Sequence, residues 1–144
     1  MSNELVLYDD GFEDLFDGTF NWATETDIAA VLLTDSYTPD AGHSTYNDLT
    51  NECDDSDYAP KAVSNRSVTR NGDDCEFDSD KVDFGSDVSI TARYLVLVVG
   101  DPSSLADTDK LIGYVDFGES KSSSNSEFSF DPASTGWFKI SRPA

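Results

Sequence analysis

Side chains that do chemistry are scarce in this chain of 144 residues, which has one histidine, two cysteines and one methionine. One histidine and two separated cysteines do not make a zinc ligand set. His43 lies in Ala41-Gly42-His43-Ser44 after a Pro-Asp turn, with no serine elbow to pair with it. A loop histidine of this kind is expected to be solvated. No cofactor-binding motif occurs, and nothing singles out two carboxylates for glycoside hydrolysis. The expectation is a protein that is not an enzyme.

Cations are just as scarce: nine Lys and Arg face 29 Asp and Glu, for a net charge of −20. That balance excludes nucleic acid, whose recognition needs clustered Lys and Arg to replace phosphate counterions. It also argues against docking on an anionic lipid surface. No stretch approaches the ~20 apolar residues that span a bilayer. Met1-Ser2-Asn3-Glu4 has neither the basic nor the apolar region of a leader, so none is expected. Internal repeats and domain-sized linkers are also lacking, and residues 1–144 read as a single domain.

The acids that are present are 22 Asp and 7 Glu. A solubilising shell is one reading. Adaptation to high salt is another, because molar salt screens repulsion over about 3 Å. Asp54, Asp55 and Asp57, Asp73 and Asp74, Asp78 and Asp80, and Asp107 and Asp109 make oxygen-rich clusters of the kind calcium takes. None has the EF-hand spacing, and no metal ligand is assigned.

The strongest signal is residues 89–100, in which Ile90, Thr91 and Ala92 lead through Tyr94 into Leu95-Val96-Leu97-Val98-Val99 before Gly100-Asp101-Pro102. β-branched residues suit a pleated surface, and an apolar run without alternation is buried on both faces, so this is a central strand. Ala92, Tyr94, Val96, Val98, Ile112, Tyr114 and Phe138 are expected inside, with Arg93 at a polar boundary. Residues 111–118 form a second strand beyond an exposed connection. Phe12, Leu15 and Phe16 fall at i, i+3 and i+4 behind two acids and ahead of Gly18, which predicts a two-turn helix burying one apolar edge against the sheet.

Residues 19–22 read as a strand or extended arm, and residues 27–34 as a buried strand. Residues 45–52 read as one helical turn or a loop. Asn71-Gly72 signals a hairpin between residues 64–70 and Cys75-Glu76-Phe77. Val82-Asp83-Phe84, Glu127-Phe128-Ser129-Phe130 and Trp137-Phe138-Lys139-Ile140 supply further short strands. About nine strands and one N-terminal helix give an all-β fold, a β-sandwich or jelly-roll. The Ser-rich stretch 121–126 lacks apolar residues to pack and is expected to be free, as are the termini.

Two readings of Cys53 and Cys75 stand open. They are buried free thiols, or a disulfide worth about 3 kcal/mol if a strand ending at Cys53 flanks the hairpin. Trp22, Tyr46, Tyr58 and Trp137 either pack between sheets or form a carbohydrate platform. Asn65-Arg66-Ser67 is a lone glycosylation sequon.

Three blocks, taken in order, carry a resemblance. They are Ala30-Val31-Leu32-Leu33-Thr34 with Tyr37-Thr38-Pro39-Asp40, then Ile90-Thr91-Ala92-Arg93-Tyr94, then Leu111-Ile112-Gly113-Tyr114-Val115-Asp116-Phe117-Gly118. With them the chain resembles small structural proteins of the virions of tailed viruses of bacteria and archaea, over nearly its whole length. It departs at residues 54–63, where such proteins often have a Gly-rich loop, and at Cys53 and Cys75, where valine is expected. The resemblance implies a subunit at the capsid surface that decorates or cements the head shell. Its partners would be the major capsid protein, other virion proteins and copies of itself. It carries no active site over. A tail, connector or baseplate component, or a carbohydrate-binding module of a receptor-binding apparatus, are the alternatives.

Overall fold

The computed structural model describes residues 4–143. Ten strands, one α-helix and one 3-10 turn are found among them. In chain order these are β1 (Val6–Leu7), α1 (Asp9–Asp17), β2 (Ala29–Leu33), the 3-10 turn Tyr46–Asp48, β3 (Lys61–Ala62), β4 (Ser67–Asn71), β5 (Asp74–Asp78), β6 (Val82–Asp83), β7 (Thr91–Val99), β8 (Lys110–Ser122), β9 (Ser129–Phe130) and β10 (Phe138–Ser141). The fold is all-β with one short helix, and every strand pair is antiparallel.

The main sheet has the order β1-β8-β7-β2-β3, which places β7 at its centre. Strands β2 and β7 have no polar alternation because both of their faces are covered. Ala30, Leu32, Ala92, Leu95 and Leu97 face the larger core, where Phe77 of β5, Val82 of β6, Phe130 of β9 and Phe138 of β10 meet them. Val31, Leu33, Tyr94, Val96 and Val98 face a second core closed by Tyr8, Tyr37 and Leu111. The expected inward residues are buried, except that Tyr114 is half-buried. Arg93 sits where the β7–β8 register shifts, half-exposed, with its guanidinium on Asp116 at 3.1 Å. It is the polar boundary expected of it.

Two small sheets, β10-β5-β4 and β6-β9, lie on the larger core. The pairing of β5 with β10 joins residues more than sixty positions apart, with Phe77 opposite Phe138 and Cys75 opposite Ile140. The two phenylalanine rings stack at 4.3 Å. The β4–β5 hairpin forms, but its turn is shifted by one residue. Asn71 pairs with Asp74, so the two loop residues are Gly72 and Asp73, with positive φ at Gly72. Positive φ at the first loop position suits the right-handed twist of a hairpin.

Two expectations fail locally. Residues 19–22 are not a strand: the Asn21 side chain accepts the N–H groups of Ala23 and Thr24 and turns the chain, and Trp22 plunges into the core. The stretch 121–126 is not free either. β8 runs to Ser122, Thr91 pairs with Ser122, and Ser123 and Ser126 bond to the carbonyls of Ile90 and Val88. Backbone and hydroxyl hydrogen bonds hold this segment in place of apolar burial. Of the termini, residues 1–3 and 144 lie outside the described residues.

Candidate interaction surface

Helix α1 begins with Asp9 and Asp10, whose charges suit the positive end of the helix, and ends at Gly18 in the left-handed conformation, with φ 82°. The seat of the helix is not its apolar edge. Gly11 and Asp14 are the buried positions, and Gly11 rests on the backbone of Ile112 in β8. Because 3.6 residues make a turn, positions 11, 14 and 15 share the stripe that faces the sheet, and positions 12 and 16 lie about 100–140° round the helix from Gly11.

Phe12 and Phe16 therefore point outward, 53% and 63% exposed, their rings edge to face at 5.1 Å. This corrects the expectation that Phe12, Leu15 and Phe16 pack together on the sheet; only Leu15 is drawn in against the larger core. The missed signal was Gly11, a residue without a side chain on the stripe next to the phenylalanines.

Phe16 also overhangs a cleft between α1 and the β10-β5-β4 sheet. Two adjoining hollows of about 300 and 260 Å³ share Phe16, Phe77 and Ile140 as walls. Val68 of β4, 43% exposed, extends the apolar margin. Phe12, Phe16 and Val68 are thus large apolar side chains left exposed on a chain of net charge −20.

The acid-rich loops have a different use. Asp17, Asp40, Asp83, Asp101 and Asp116 each accept the N–H two residues on, closing tight turns at 2.7–2.9 Å. The shorter side chain of Asp makes this turn and Glu does not, which accounts for part of the Asp excess. The loop clusters first read as calcium-like are spent similarly: Asp55 and Asp57 accept the N–H groups of Thr91 and Ser89, and Asp73 pairs with Arg142. Among the described residues, the one trio of acids with converging oxygens is Glu13, Asp14 and Asp17 on α1.

His43 is not a solvated loop residue. Its Nδ1 bonds the Tyr37 hydroxyl at 2.7 Å, which in turn bonds the Tyr8 hydroxyl at 2.8 Å, sealing the second core. Burial pushes the phenols of Tyr8 and Tyr37 up. On the neighbouring loop, Glu52 accepts bonds from the hydroxyls of both Tyr46 and Tyr58, and the Tyr58 hydroxyl accepts the Leu32 N–H at 3.1 Å. These are clasps that hold loop to sheet.

The possible Cys53–Cys75 bridge is not formed; both thiols are free. The strand flanking the hairpin is β10, while Cys53 lies beside β2, its N–H on the Leu32 carbonyl. Its Sγ donates to the Thr91 carbonyl, and burial, with Asp55, Glu52 and Asp54 nearby, pushes the thiol up to about 12. A thiol so raised is a poor nucleophile at neutral pH.

The four aromatics weighed as a carbohydrate platform are also committed elsewhere. Trp22 and Trp137 are buried, their indole N–H groups donating to the Asp78 carbonyl and the Ser79 hydroxyl. Tyr46 and Tyr58 are half-buried on Glu52.

Comparison with known protein families, with curated proteins and with solved structures finds no match for this chain.

Proposed function

We propose that this chain is a structural subunit of a virus particle, a decoration protein that seats on the outside of the head shell and stabilises it by burying surface. The observation that carries the reading is the outward Phe12–Phe16 pair on an otherwise acidic chain. Burying each ring is worth about 1.5–3 kcal/mol, so α1 supplies a modest contact per subunit. Repetition over a shell multiplies such contacts through simultaneous engagement. The resemblance of the three sequence blocks to virion structural proteins supports a partner on a capsid. The acid excess suits a particle working in brine, where screening lets two negative surfaces approach.

The test is add-back. Purified chain is mixed in high salt with particles stripped of it, and bound protein is measured after sedimentation. Wild-type chain is expected to bind and to raise the temperature at which particles lose their contents. A Phe12→Ser, Phe16→Ser double variant should keep its own thermal midpoint and lose binding at least tenfold. Equal binding by the variant, or none by the wild type, contradicts the proposal.

A further inference from the structure

Strand β4 is the outermost strand of its sheet, and all five of its residues are exposed. In a two-residue hairpin the residues flanking the loop form a hydrogen-bonded pair, here Asn71 with Asp74. Alternation then directs the N–H and C=O groups of Ser67, Thr69 and Asn71 to β5, and those of Val68 and Arg70 to the open side. Among the described residues, nothing bonds Val68 or Arg70 from that side. The opposite margin of the sheet is partly closed, because the Leu5 N–H meets the Trp137 carbonyl just before β10.

Proteins usually blunt an open edge with proline, a bulge or inward charge. β4 has no proline and no register shift against β5, and its sole charge is Arg70. We infer that β4 is the site at which a second copy of this chain adds, antiparallel about Thr69, to make one six-stranded sheet of the two hairpins and their β10 strands.

The edge is complementary to itself. A two-fold axis at Thr69 sets Val68 opposite the second copy's Arg70 and Thr69 opposite its own equivalent. The outward groups of Val68 and Arg70 then match donor to acceptor, and the Arg stem covers the exposed valine. Each guanidinium is drawn away from the axis by its bond to the Gly72 carbonyl at 3.0 Å.

Charge favours this edge as well. With 29 acids and nine cations in the chain, two copies repel wherever Asp and Glu face each other. Ser67–Asn71 contains none. Molar salt screens what remains, so pairing strengthens with salt. The inference does not depend on what α1 binds.

Analytical ultracentrifugation of the purified chain over a concentration series in molar salt tests it. The wild-type mass should double as concentration rises, and the midpoint of that transition should move to higher concentration at low salt. Val68→Pro removes one outward N–H while sparing the β5 ladder, a place where proline is tolerated, and should hold the chain monomeric. Should that variant misfold, Thr69→Cys decides. A non-hydrogen-bonded pair on the axis brings the two Cα atoms to about 4.5 Å, within disulfide reach, so mild oxidation should yield a covalent dimer. Ser67→Cys, off the axis and in the presence of the same native thiols, should not. A monomeric wild type at every concentration, or equal cross-linking by both cysteine variants, overturns the inference.

Discussion

Gly11 of α1 lies directly against Ile112 of β8: a Cβ at position 11 would stand 2.2 Å from the Ile112 carbonyl oxygen. This contact sets the rotation of the helix, and thereby turns Phe12 and Phe16 toward solvent. In a free helix, Gly→Ala gains up to about 1 kcal/mol. Here the steric term wins, because main chain cannot rotate away, and overpacking costs about 1–3 kcal/mol. Gly11→Ala should lower the midpoint of urea unfolding; an unchanged or raised midpoint would show that α1 does not rest on β8 through this residue.

Leu97 is fully buried at the centre of β7 and faces the larger core. An unpaired carboxylate there costs several kcal/mol, a large part of the 5–15 kcal/mol that holds a typical domain together. Leu97→Asp should yield insoluble or unfolded protein. A soluble variant with a cooperative melt would contradict the placement of this strand.

Repulsion among 29 acids is offset by few ion pairs, and those are largely exposed, such as Lys81–Glu127 and Lys121–Glu119. Exposed pairs contribute little and weaken in salt, whereas the repulsion also weakens, and the repulsion is the larger effect. Thermal midpoints should climb from low to molar sodium chloride. A flat or falling series would mean that the acids are effectively dispersed.

Acid removes stabilising carboxylate bonds. Hydrogen bonds to Thr19, to the N–H groups of Ser44 and Thr45, to the Ser141 hydroxyl and to Ser103 hold Asp17, Asp48, Asp74 and Asp101 below the ordinary value of 3.8. A carboxylate lowered by folding stabilises fully above its unfolded value and loses that contribution as pH falls through its folded value. The thermal midpoint should therefore hold from pH 7 to about 4.5 and fall as pH drops through and below about 3.8. A midpoint unchanged down to about pH 2 would show that these carboxylate bonds contribute nothing to stability.

The parts of the fold legible in the sequence are those where one local signal dominates. Residues 90–99 and 111–118 read correctly because unbroken aliphatic runs need two covered faces, and α1 because acids and Gly18 mark its ends. The direction in which α1 faces was hidden, since Phe12, Leu15 and Phe16 look like a seat while a single backbone contact at Gly11 sets the rotation. Pairing between distant strands, such as β5 with β10, leaves no local period, so the neighbours of Cys75 were misplaced. In residues 121–126 a composition without apolar residues was read as freedom. Serine hydroxyls and backbone groups bonded to Val88 and Ile90 hold the segment instead. The setting of His43 is equally hidden, because its partner Tyr37 lies on the same loop and holds it half-buried through a hydrogen bond.

The central proposal is that α1 is the face presented to the viral shell. Density for this chain in an intact particle tests it most directly. The account predicts many symmetry-related copies on the head, each with Phe12 and Phe16 covered by another virion chain within an interface of more than about 1,000 Å². Density with α1 open to solvent, a few copies confined to the tail, or no copy in the particle would contradict it.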